Sequence, residues 1–138
     1  MAFVLDASVS AVWALKDESD ALADRLLEGW ATRPKEREPA YVPQVWWYEL
    51  RNVLVISERR KRLMPEDCAA FLRVLARLPI HVDTDRDENA IFRIARKYQL
   101  SFYDATYLEV AQRNHLPLAT LDKALRSAAE AAGISLLV

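Results

Sequence analysis

The sequence predicts an α/β fold, a parallel β-sheet covered by helices on both faces in three layers. Short apolar runs, such as residues 2–5 and 116–120, alternate along the chain with longer segments of helical period. Alternation of this kind implies crossover connections between parallel strands. Only two glycines occur, Gly29 and Gly133, and there is no repeat, low-complexity tract or flexible linker. The chain therefore reads as one compact domain spanning residues 1–138. With 138 residues, 52% of them apolar, it is long enough to bury a core without disulfides.

The elements follow in order. Residues 2–5 are apolar, too short for a helix and stopped by Asp6, which makes them a buried strand. Residues 8–16 and 19–30 read as helices, the second with Leu22, Leu26 and Leu27 on one face. Residues 32–39, charged and containing two prolines, form a loop. Residues 40–42 are a second strand, and Pro43 suits the entry to a helix over 45–59 that carries Val45, Leu50, Val53, Leu54 and Ile56. Pro65 opens a helix through 78 in the same way. A brief strand at 80–82 precedes a helix at 86–98, and Asp104 stands at the start of a helix running to 114. The chain closes with a strand at 116–120, a helix at 122–132 ended by Gly133, and a last strand at 134–138.

Lys+Arg number 19 against 20 Asp+Glu, a net charge of -1, so the chain lacks the basic surplus of a strong nucleic-acid binder. Its single cysteine, Cys68, has no partner for a bridge or a zinc site, and nothing calls for an oxidising compartment. An acidic residue comes too early for a secretory leader, and no apolar run approaches the roughly 20 residues that cross a bilayer. A cytoplasmic location away from membranes is expected.

The placement of acids is more informative than their number. Asp6 and Asp122 each follow a strand, so both project from the carboxyl edge of the sheet, where ligands of open α/β sheets bind. Glu49 lies one turn into the helix after the second strand, beside Trp46, Trp47, Tyr48 and Leu50. Taken singly, Asp6, Asp104 and Asp122 read as helix N-caps, a role that suits aspartate. Glu49 does not, because a glutamate among tryptophans is poorly solvated unless something pairs with it. Four gathered carboxylates repel one another unless cations compensate, and an all-oxygen donor set favours Mg²⁺ or Mn²⁺ over zinc. Hydrolysis of a phosphodiester is the natural chemistry of such a site.

The runs FVLDASV, VPQVWWYELRNVL, LSFYDATYLEVA and LPLATLDKAL, in this order over nearly the whole chain, resemble the four motifs of bacterial PIN-domain toxins of the VapC type. The resemblance implies a PIN-like, Rossmann-like architecture and a metal-dependent ribonuclease. It implies Asp6, Glu49, Asp104 and Asp122 as the acidic quartet, with Ser8 and Thr120 as supporting polar neighbours. It also implies an RNA substrate, a small cognate antitoxin as partner, and a homodimer. A balanced net charge is compatible with such an enzyme, since turnover needs only a few phosphate contacts beside the metal. The alternative is a PIN-like RNA- or protein-binding module that has lost its chemistry, for which a missing acid would be typical; all four are present. A phosphoryl-accepting receiver domain fits poorly, because Ser8 and Thr120 stand where it needs further acidic and basic residues.

Other features have plainer readings. The run Arg59 to Arg62 complements the dipole at a helix end, His81 and His115 have no metal-like partners, and Trp46, Trp47 and Tyr48 suit core or interface more than RNA stacking. Trp13, Leu22, Leu26 and the region of Trp46 and Trp47 are expected to supply apolar anchors for the inhibitory partner.

Overall fold

A computed structural model describes residues 1–138. Its elements are β1 (Phe3–Leu5), α1 (Ala7–Ala14), α2 (Ala21–Thr32), β2 (Ala40–Pro43), α3 (Gln44–Arg59), α4 (Pro65–Leu75), β3 (Ile80–Asp83), α5 (Glu88–Tyr98), α6 (Phe102–Asn114), β4 (Leu118–Ala119) and α7 (Lys123–Ala131). The 32–39 loop contains a short 3-10 turn at Pro34–Glu36. All strand pairs are parallel, in the order β3-β2-β1-β4, and helices cover both faces as the alternation predicts. The chain builds outward from β1 through β2 to β3, then returns to place β4 on the other side of β1. That reversal opens a crevice beyond the carboxyl ends of β1 and β4, the usual binding place in an open α/β sheet. No helix is long and apolar enough to cross a membrane.

Two expectations about the elements change. Residues 134–138 do not form a full strand: Leu136 makes only an isolated parallel bridge to Leu118. The reason is the length of β4, which at two residues offers almost no ladder to extend. The helix expected to start at Asp104 begins earlier, at Phe102, because Ser101 is its N-cap and its Oγ accepts from the N–H of Asp104 at 3.0 Å.

Strands β1, β2 and β4 are largely buried and read as apolar runs for that reason, whereas β3, at the sheet edge, leaves His81 and Val82 exposed. Val4, Leu5, Val42 and Leu118 meet Val9, Leu50, Leu108 and Leu125 from the helices, all essentially inaccessible. Three tryptophans fasten the early helices while keeping their indole N–H groups satisfied. Trp13 Nε1 donates to the Ala23 carbonyl at 2.7 Å, Trp30 Nε1 to the Glu38 carbonyl at 2.9 Å, and Trp46 Nε1 to Ser10 Oγ at 2.9 Å. Trp30 also stacks on Phe3 and meets Trp13 edge-on. These contacts correct the expected partner anchors. Leu22 and Trp46 belong to the core, and only Trp13, Leu26 and Trp47 of that set retain accessible surface.

A second fastening sets α6. Glu109 is buried, and its carboxylate accepts from Arg113 Nε at 2.7 Å and from the N–H of Asp87 at 3.1 Å. Arg113 also donates to Asp83 Oδ2 at 3.0 Å and to the Asp85 carbonyl at 2.8 Å. The pair of Glu109 and Arg113 thus ties the end of β3, through the guanidinium, and the start of α5, through the carboxylate, to α6. Arg113→Met, which strands the Glu109 charge, is expected to destabilise the fold by about 2–4 kcal/mol. Urea unfolding measures this; a loss below about 0.5 kcal/mol would show that water replaces the arginine at no cost.

Candidate active site

Asp6 stands directly after β1 and is buried. Its main-chain N–H donates to the Ala119 carbonyl at 2.9 Å, which locks it to the end of β4. Although it occupies the N-cap position of α1, its side chain caps nothing. Instead Oδ2 accepts from Ser8 Oγ at 2.5 Å and from Thr120 Oγ1 at 2.7 Å. Both hydroxyls are themselves held: Ser8 Oγ accepts from the N–H of Leu121, and Thr120 Oγ1 from the N–H of Asp122. The two polar neighbours thus join the carboxyl ends of β1 and β4 around a single carboxylate.

The other three acids arrive from separate elements. Glu49 projects from α3, and its Oε1 accepts from the hydroxyl of Tyr107 in α6 at 2.6 Å, the partner that a glutamate among tryptophans requires. Asp104 lies in the first turn of α6. Asp122 does cap a helix, accepting from the N–H of Leu125 at 2.9 Å through Oδ1. Asp6, Ser8, Glu49, Asn52, Asp104 and Asp122 line one cleft of about 310 Å³, with no lysine, arginine or histidine on its walls. None of the four acids is in a salt bridge. They share the cleft without converging on one point, since no three His, Cys, Asp or Glu side chains are close enough to grip an ion between them.

Sequence reasoning overlooked Asn52 and Tyr107. Each sits three residues beyond a site acid on its helix, Asn52 after Glu49 and Tyr107 after Asp104, and that spacing returns to the same face. Tyr107 is completely buried, and burial, followed by the charges of Asp6 and Glu49, pushes its hydroxyl pKa up. It therefore remains a protonated donor.

The electrostatics point one way. Burial raises the carboxyl of Asp6 above its usual value, against the lowering effect of the Ser8 and Thr120 hydrogen bonds. Glu49 is raised by burial first, with Tyr107 opposing and the charges of Asp6 and Asp104 adding to it. Asp104 is raised by burial and then by Asp122 and Asp6. An acid whose folded pKa exceeds its unfolded one contributes stability that is fully present below the unfolded value, about 3.9 for aspartate, and lost as pH rises through the folded value. Without metal, Asp104→Asn is therefore expected to melt at or above the parent at neutral pH, with the difference vanishing as pH falls below about 4. Thermal melts in EDTA across this range test it. A variant melting clearly below the parent at neutral pH would instead make Asp104 a structural support of α6.

The fold has counterparts among known proteins. PAE2754 from Pyrobaculum aerophilum is 25% identical with a TM-score of 0.69, over 93% of this chain and 84% of that one. FitAcB from Neisseria gonorrhoeae is 15% identical with a TM-score of 0.66, over 100% and 97%. VapC20 from Mycobacterium tuberculosis, described as a Sarcin-Ricin loop cleaving toxin, is 20% identical with a TM-score of 0.59, over 99% and 98%. At their identities the last two establish a shared fold. No curated protein matches the chain. The family model of the PIN domain matches residues 3–131, a span containing the whole sheet and all four acids, and the chain belongs to the PIN-domain family.

Proposed function

We propose that this protein is a Mg²⁺- or Mn²⁺-dependent endoribonuclease of the cytoplasm, the toxin of a VapBC-type pair held inactive by a small cognate antitoxin. The observation that carries this reading is a cleft at the sheet's carboxyl edge with four carboxylates and no cationic side chain. Three of those carboxylates have raised proton affinities, as expected where negative charge awaits a cation from outside.

The donor set fits a hard divalent ion. All four acids offer oxygen, and Mg²⁺ usually takes only one or two carboxylates directly while keeping several waters. Separated acids suit that habit, with some ligating through water. Asp6 is the natural inner ligand, its orientation set by Ser8 and Thr120. Glu49, Asp104 and Asp122 would hold the ion or its waters from the other walls of the cleft. When bound, such an ion supplies a water of lowered pKa and neutralises charge on a phosphoryl group. The chain's own part is to fix these carboxylates before substrate arrives, so that little reorganisation remains at the reacting phosphate.

The toxin reading is supported by fold likeness to chains described as a Klebsiella pneumoniae toxin-antitoxin complex and as VapC20. An apolar groove of about 240 Å³ between α1, α2 and α4, lined by Trp13, Leu27, Phe71, Val74 and Leu78, suits an amphipathic segment of a partner.

Two outcomes test the enzyme. RNA should be cut with Mg²⁺ or Mn²⁺, poorly with Zn²⁺ and not in excess EDTA, and Asp104→Asn should lose at least ~100-fold in rate. RNA bound but uncut by the parent protein would favour a binding module. Tyr107→Phe, which removes the hydrogen bond orienting Glu49 but keeps the ring, should cut about 10-fold more slowly at limiting Mg²⁺ and recover in excess. A loss that excess metal leaves unchanged would mean that Tyr107 does not act through metal affinity.

A further inference from the structure

Beside the acidic cleft runs an open groove whose walls carry exposed aromatic rings and charges of both signs. A hollow of about 670 Å³ is lined by Val45, Tyr48, Glu49, Arg51, Asn52 and Tyr103, among others. It shares Glu49 and Asn52 with the acidic cleft. It also shares Val45, Tyr48 and Tyr103 with a hollow of about 270 Å³ that adds Phe102 and Arg86 together with Asp83, Asp85 and Glu109. Three hollows therefore form one track leading away from the four site acids.

The residues on this track are unusually placed. Tyr48 and Tyr103, each 63% exposed, are the most open aromatic rings of the chain, ahead of Trp47, Phe92 and Phe102 at 40–45%, while Phe3, Trp30, Trp46 and Tyr107 are buried. Each tyrosine is the chain neighbour of a site acid, Tyr48 of Glu49 and Tyr103 of Asp104, so the helices that deliver the carboxylates also deliver the rings. On α3 the sequence spacing of Val45, Tyr48, Asn52 and Val55 repeats a single helical face, and all four line the groove. Arg51 lies with its guanidinium 4.1 Å from the centre of the Trp47 ring. Arg86 is exposed and makes a 3.3 Å contact with Gln44. Neither arginine is in a salt bridge. Of the acids that also line the track, Glu109 and Asp83 are held by Arg113, which leaves Arg51 and Arg86 facing Glu49 and Asp85.

We infer that Tyr48 and Tyr103 form a stacking site for unpaired bases of single-stranded RNA next to the scissile phosphate, with Arg51 and Arg86 meeting the backbone further along the groove. This rests on the ribonuclease reading and names its substrate form. Exposed aromatic rings with interleaved cations along a groove are how sequence-tolerant single-strand binders work, since every base has a face to stack. Continuity with the acids favours RNA over a protein occupant, because whatever fills the track must also pass Glu49. A duplex keeps its bases stacked on each other and cannot use the rings.

The test separates binding from cutting. Anisotropy of a short fluorescein-labelled oligoadenylate is titrated in EDTA, where no cleavage is expected, with the parent, Tyr48→Ala, Tyr103→Ala and the two phenylalanine variants. Each alanine variant should bind about tenfold more weakly, equivalent to ~1.4 kcal/mol, while the phenylalanine variants stay within about twofold because stacking needs the ring and not the hydroxyl. The same strand annealed to oligouridylate should compete poorly. Unchanged affinity in both alanine variants, or equal competition by duplex, overturns the stacking site and leaves the nuclease reading standing. A change of oligomeric state in the alanine variants, seen by sedimentation, also overturns it and makes the face a protein interface. If the parent binds the strand through the tyrosines yet cuts no RNA in Mg²⁺ or Mn²⁺, the stacking site stands and the nuclease reading falls.

Discussion

Asp6 is a carboxylate taken out of water without a cationic side chain to meet it, and much of the structure around the sheet's carboxyl edge makes that tolerable. Burying an unpaired charge is costly, and the cost falls only when donors are supplied in fixed positions. Here Ser8 and Thr120 supply them, and each hydroxyl is oriented by a further main-chain N–H. These bonds have the right geometry only because β1 and β4 are parallel neighbours in register, Leu5 against Ala119. A shift of one residue in either strand would turn its side chains to the other face. The topology that places β4 beside β1, out of sequence order, is thus coupled to one buried oxygen.

The same chain shows what a neutralised acid cluster looks like. On the far part of α6, Glu109 and Asp83 share Arg113, whose guanidinium is driven to a higher pKa chiefly by its hydrogen bond to Glu109. On the near part of α6, Asp104 faces Glu49, Asp6 and Asp122 across a cleft without a cationic side chain. One helix therefore carries a closed ion network at its carboxyl end and an open one at its amino end. The closed network rigidifies α6, and a rigid α6 holds Tyr107 against Glu49 and Tyr103 at the edge of the aromatic groove. Preorganisation of this kind is what a site acting on a flexible polymer requires, since disorder in the protein would add to the cost of ordering the strand.

The acids also divide by how much of their role local structure accounts for. Asp122 is a true helix cap, as a sequence reading of aspartate before a helix suggests, and it still lines the cleft. Asp6 holds the N-cap position without capping, and Ser101 takes the cap that Asp104 was expected to make. Where the ordinary local explanation fails, the side chain is turned toward the cleft.

Much of this was legible in the chain alone. Apolar runs too short for helices between helical periods determine a parallel, doubly covered sheet, because only crossover connections use that pattern. Acids placed just after those runs determine that carboxylates reach one edge. The sequence could not determine that Ile134 to Val138 fails as a strand, because that depends on how little ladder β4 offers. Nor could it separate the neighbours in the run Trp46, Trp47 and Tyr48, since local composition is alike and only packing against Ser10 draws Trp46 inward and leaves Tyr48 at the groove. Tyr107 reads as one more apolar position of α6, and its role emerges only when α3 brings Glu49 to its hydroxyl. Periodicity is a property of one segment and survives in the sequence; a meeting of two segments far apart in the chain is decided by the tertiary fold, because the long-range packing that creates it has no local signature.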